Sequence, residues 1–79
     1  MKTLGTVPHP QMMITIFMWN NRYLIKFEAG PYEQTFKIDA TMAENPEDVK
    51  ALVDDDFCEK VLRRFIEMNK DFGLLLQKL

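Results

Sequence analysis

Two turn signals in the first half of the chain constrain it more than any other feature. Asn20-Asn21 separates the uncharged run Met12 to Trp19 from the alternating run Arg22 to Ala29, and Gly30-Pro31 separates that run from Tyr32 to Asp39. Paired Asn residues tolerate the left-handed angles of a two-residue hairpin turn, and Gly-Pro interrupts a strand. A turn at Asn20-Asn21 sets Trp19 opposite Arg22, Phe17 opposite Leu24 and Ile16 opposite Ile25. A turn centred on Gly30-Pro31 sets Phe27 opposite Gln34, Ile25 opposite Phe36 and Tyr23 opposite Ile38. Both turns put Met12, Ile14, Ile16, Met18, Tyr23, Ile25, Phe27, Tyr32, Phe36 and Ile38 on one face. A slip of one residue in either hairpin would scatter this set over both faces. Residues 12–39 are therefore predicted to form a three-stranded antiparallel meander with one apolar side.

The second half changes period. After a loop at 40–45, Asn45-Pro46-Glu47-Asp48 is a helix start: Asn caps, Pro suits the first helical position, and two acids face the positive end of the dipole. Val49, Leu52 and Val53 give this helix an apolar stripe. A second start is predicted at Asp56, with Glu59 three residues on in a capping-box arrangement. From there Phe57, Val61, Phe65, Met68 and Phe72 recur at helical spacing, widened by Leu62 and Ile66. One helix through 46–72 is disfavoured. Its apolar positions advance by four, drifting about 40° per step, and Asp54-Asp55-Asp56 is a poor helix interior. Gly73 either ends the second helix or is crossed at a cost of about 1 kcal/mol.

With 79 residues the chain forms one domain. The reading is an extended N-terminal arm over 1–11, with Pro8 and Pro10 flanking His9, and a single domain over 12–79. The expected fold is two-layer α+β, in the order β-β-β-α-α, with both helices packed on the apolar sheet face.

Little in the chain can do chemistry. One Cys excludes an internal disulfide framework, and a single His leaves no zinc constellation, so no metal or cofactor is expected. His9 has no identifiable partner to fix its tautomer. Cys58 lies in a first helical turn, but its neighbours Asp54, Asp55, Asp56 and Glu59 oppose thiolate formation. The three Asp residues lack the alternating ligands and central Gly of a calcium loop and read as a capping, solvated turn. The three glycines are scattered, so no phosphate loop exists, and the chain contains no Ser. The expectation is a protein that is not an enzyme. The lone Cys, and the lack of any targeting or membrane-spanning run, point to the cytoplasm.

The other sheet face is unusual for a solvent face, which would be polar throughout. Phe17, Trp19 and Leu24 cluster there with Met13, bordered by Arg22, Lys26 and Lys37. Aromatic anchors inside a charged rim suit a protein contact. They also suit stacking of single-stranded bases, with the cations on phosphates. A third arrangement has Leu74, Leu75, Leu76 and Leu79 folded back over the patch. The charge balance disfavours nucleic acid: net charge is −2, residues 44–59 hold seven acids against Lys50, and no continuous basic stripe results.

The strand over 12–19 adds a further signal. At the edge of a three-stranded meander it carries no charge and no Pro, which invites pairing unless it is covered. A two-fold copy through this strand covers it most simply; the 1–11 arm or a reordered sheet are the alternatives. The expected function is a small protein-interaction module, a homodimer or a binder of another protein. Its predicted surface is Met13, Ile16, Phe17, Trp19, Arg22, Leu24, Lys26 and Lys37. A single-stranded nucleic-acid binder is the alternative.

Overall fold

In the computed structural model, which describes all 79 residues, the hairpins take the register that the alternation requires. Strands β1 (Lys2–Val7), β2 (Met13–Trp19), β3 (Arg22–Ala29) and β4 (Tyr32–Asp39) form one antiparallel sheet in sequential order. Trp19 pairs with Arg22, Phe17 with Leu24, Ile25 with Phe36 and Tyr23 with Ile38. Asn20 and Asn21 both adopt positive φ, 54° and 60°, as a tight hairpin turn demands.

The sheet has four strands, one more than the sequence pattern predicted, because residues 2–7 pair with β2. Within the 1–11 arm, residues 2–7 are thus a strand of the sheet, and the segment with both prolines is the bend that turns the chain back into β2. The signal of β1 is weak for a physical reason. Gly5 interrupts the run at φ +153°, and the register shifts between Thr3 and Gly5, leaving Leu4 as the extra residue of a bulge. Glycine is suited to that backbone, and a Cβ there would also meet the Lys50 side chain at 2.6 Å. The bulge breaks the alternation by which strands are recognised.

β1 also settles the edge at β2. β2 is hydrogen-bonded on both sides, to β1 and to β3, so it has no free edge for a second copy. On that side the edge strand is β1, which is short, begins with Lys2, is bulged and runs into Pro8. Each of these features discourages edge-to-edge pairing.

Two helices follow, separated as expected. α1 (Pro46–Leu52) is capped by Asn45, whose side chain accepts the Asp48 N–H at 3.1 Å. α2 (Asp55–Leu76) is capped two residues before the predicted position: Asp54 accepts the Phe57 N–H at 2.8 Å, and Glu59 pairs instead with Arg63 at 3.4 Å. The helix passes through Gly73. Between sheet and helices, the loop holds a short 3-10 turn, Ala40–Met42, capped by Asp39.

The predicted inner face forms the core. Met12, Ile14, Ile16, Tyr23, Ile25 and Phe27 pack with Val49 of α1 and with Cys58, Val61 and Phe65 of α2. α1 lies over β1 and β2, and α2 runs along β4. Phe57 meets Phe27 and Phe36 with ring centroids at 5.8 and 5.2 Å. Gln34, the polar residue of β4 on this face, donates to the Val61 carbonyl at 3.0 Å, which satisfies it within an apolar layer.

Candidate interaction surface

Neither helix covers the outer face of the sheet, so its side chains must shield one another. Four registered rows cross it: Met13–Glu28–Glu33, Thr15–Lys26–Thr35, Phe17–Leu24–Lys37 and Trp19–Arg22–Asp39. Thr3 and Thr6 of β1 extend the rows of Phe17 and Thr15. Leu24, flanked in register by Phe17 and Lys37, is only 6% exposed. It is the floor of the patch, and partners could touch little of it. Phe17 is half-buried, whereas Trp19 is 50% exposed. Met13 is exposed but stands at the far end of β2, in the row of Glu28 and Glu33, away from the aromatic pair.

Ile16 leaves the predicted surface altogether. It is fully buried on the inner face, between Gly5 of β1 and Ile25 of β3. The sequence reading assigned it to a contact through the strand edge, and that edge is occupied. The remaining residues divide by charge. Lys26 is drawn to the acidic end, 3.4 Å from Glu33 and 4.0 Å from Glu28, with its ammonium 6.0 Å from the Phe17 ring centroid. Arg22 and Lys37 form no ion pair. Asp39 stands opposite Arg22 in register, but its carboxylate accepts from the Thr41 N–H and hydroxyl at 3.2 and 3.1 Å. Two uncommitted cations therefore flank Phe17 and Trp19 at one end of the face.

The residues considered for chemistry stay apart. His9 Nδ1 accepts the Gln11 N–H at 3.1 Å, a local bond that closes the turn between β1 and β2. An open groove of about 510 Å³ beside it includes Thr6, Glu28 and Gly30, but no hydrogen bond joins His9 to Thr6 or Glu28. Cys58 is buried, and its thiol is pushed above the ordinary value by that burial and by the carboxylates of Asp55 and Asp54. Both effects disfavour thiolate. No group of three or more His, Cys, Asp or Glu side chains is placed to hold a metal ion. No helix is long and apolar enough to cross a membrane.

The Leu-rich end of the chain does not fold over the sheet patch. It continues α2 on the opposite side of the sheet, past the β3–β4 turn. Tyr32 donates from its hydroxyl to Asn69 Oδ1 at 2.8 Å and meets Phe72 edge-on at 5.9 Å. Beyond that contact Leu74, Leu75, Leu76 and Leu79 are exposed. Sequence reasoning missed this second apolar surface, although its signal was present. From Cys58 the positions 58, 61, 65, 68, 72, 75 and 79 alternate steps of three and four, and the stripe does not stop at Gly73. Compared with known proteins, the chain matches no family model, no curated protein and no solved structure.

Proposed function

We propose that the chain is a non-catalytic protein-interaction module that receives an apolar, acidic segment of a partner protein on the open sheet face. The observation that supports this reading is the half-exposed Trp19 beside Phe17, with Arg22 and Lys37 free of acidic partners. An aromatic ring gives large contact area at low entropy cost, and two unpaired cations favour carboxylates at the rim. Leu24 forms the floor, and Met13 and Lys26 lie outside the contact.

A second reading, single-stranded nucleic acid, draws on the same two cations and the exposed ring. The net charge of −2 and the acids at both ends of the face weigh against it. One experiment separates the two. Displayed peptides combining Asp or Glu with one apolar anchor are selected on the protein, and binding is followed by Trp19 fluorescence. Selected peptides should bind the wild type and weaken by about tenfold or more with Trp19→Ala or Lys37→Glu. Peptides that bind equally well to both variants would remove the sheet face as the contact. Quenching by an oligonucleotide, reversed by salt, would put the second reading in its place.

A further inference from the structure

The apolar stripe of α2 meets two different surroundings. Cys58, Val61, Phe65 and Met68 lie against the sheet, and Pro31 and Tyr32 at the β3–β4 turn are where that support ends. Phe72 makes the last contact, edge-on with Tyr32 at 5.9 Å, and Leu75 and Leu79 continue the same three-four alternation without a sheet beneath them. Alternation of this kind keeps one seam facing a partner helix. The part beyond the Tyr32 contacts, Gly73 to Leu76, is about one helical turn, and residues 77–79 continue it as a tighter turn with Lys78 and Leu79 N–H bonded to Leu75 and Leu76 carbonyls.

We propose that this end of α2 is a self-association seam on which a second copy of the chain docks antiparallel. Charge placement selects the copy and its direction. Asp71 and Lys78 are one heptad apart on the same flank of the stripe, and neither has an ion-pair partner within the chain. An antiparallel copy sets Phe72 against the partner's Leu75 and brings Asp71 to the partner's Lys78. Two-fold symmetry repeats the pair, so both charges are matched twice. A parallel copy would set Asp71 beside the partner's Leu76 and leave both charges unmatched.

Shape supports the same register. A notch of about 420 Å³, lined by Pro31, Tyr32, Met68, Asp71, Phe72 and Leu75, opens where the sheet ends. In the layer next to Phe72 and the partner's Leu75, Met68 stands opposite the partner's Leu79, which is thereby directed into this notch. The overhang thus occupies the space that each sheet leaves empty. This seam lies across the molecule from the Trp19 face and does not depend on it.

The test uses the whole chain. Sedimentation or light scattering across a concentration series should show twice the 9.3 kDa monomer mass. Leu75→Glu should raise the dissociation constant by about tenfold or more with an unchanged circular dichroism spectrum. Asp71→Lys alone should weaken association about fivefold, and Asp71→Lys with Lys78→Asp should restore it. Under oxidation, a mixture of Phe72→Cys and Leu75→Cys proteins should yield a mixed disulfide dimer, with neither variant linking to itself. A monomer up to about millimolar concentration would overturn the proposal. So would a dimer indifferent to Leu75→Glu, whose seam must lie elsewhere. Self-linking of each variant would show a parallel pair and overturn the antiparallel assignment. None of these outcomes bears on peptide binding at Trp19, which is measured separately.

Discussion

The two halves of α2 carry the same kinds of residue at the same spacing and meet opposite fates. In Asp55–Met68 the stripe is the top of the core, with Val61 fully buried and Phe65 nearly so. In the part after Met68 the stripe is exposed, and Leu75 shows 53% of its surface. Helix propensity does not distinguish the halves, since the backbone is continuous through both. What differs is the sheet beneath, which ends at the β3–β4 turn. Periodicity states which side of a helix is apolar; the length of the neighbouring element decides how much of that side is used for folding.

The sharpest way to break this comparison is to truncate one side chain in each half. Phe65→Ala removes a ring from the close-packed layer and should cost about 3–5 kcal/mol, a large share of the stability of so small a domain. Leu75→Ala, in the exposed half, should change monomer stability by less than about 0.5 kcal/mol. Urea denaturation of both, at concentrations low enough to keep the chain monomeric, reads the difference. Equal losses would show that the two halves fold as one packed unit.

A smaller effect sharpens the contrast through thiol chemistry. Cys58 belongs to the packed half, and its thiol is raised above the ordinary value of 9.0 by burial, then by Asp55 and Asp54. The folded state therefore keeps this proton at a pH where the unfolded chain releases it. The resulting stability is fully present below about pH 9 and is lost progressively as pH rises above that. Relative to Cys58→Ala, the wild type should lose stability more steeply above pH 9, and a parallel pH dependence of the two would contradict the assignment. A Leu75→Cys thiol, in the exposed half, should react with a disulfide reagent in the folded state. Cys58 should react only as the chain opens.

How much of this was legible in the sequence follows from the same contrast. The β2–β3–β4 register was readable because two independent turns had to agree on one apolar face, and a slip would have exposed Phe27 or Ile25. The break between α1 and α2 was readable from three consecutive Asp residues. β1 was not, because a bulge at Gly5 removes the alternation that announces a strand, and only pairing to β2 reveals it. Of the covers considered for β2, the 1–11 arm is the one that pairs with it, and preferring a second copy at that edge is what placed Ile16 on a contact surface. Phe17, Trp19, Arg22 and Lys37 did fall on one open face, but the commitment of Lys26 to Glu33 and of Asp39 to Thr41 depends on side-chain geometry. The Leu-rich end was visible as composition. Its direction depended on whether a helix ends or continues at one glycine.

That glycine supplies the most delicate test. Gly73 lies inside α2, without positive φ, and a Cβ there would meet nothing within 4 Å. Alanine suits a helix interior better than glycine by about 1 kcal/mol, so Gly73→Ala favours helix on both sides of position 73. Where that gain appears depends on coupling between the halves. If the overhang frays independently of the core, the substitution stabilises a segment that already opens before global unfolding does. The expected result is therefore local: slower amide exchange at residues 74–77, more helical signal at 222 nm, and a global unfolding midpoint almost unmoved. A full increase of about 1 kcal/mol in global stability would mean that the end of α2 unfolds only with the core. The sheet would then support the helix beyond Tyr32, and the boundary between the two halves would have to be drawn further along the chain.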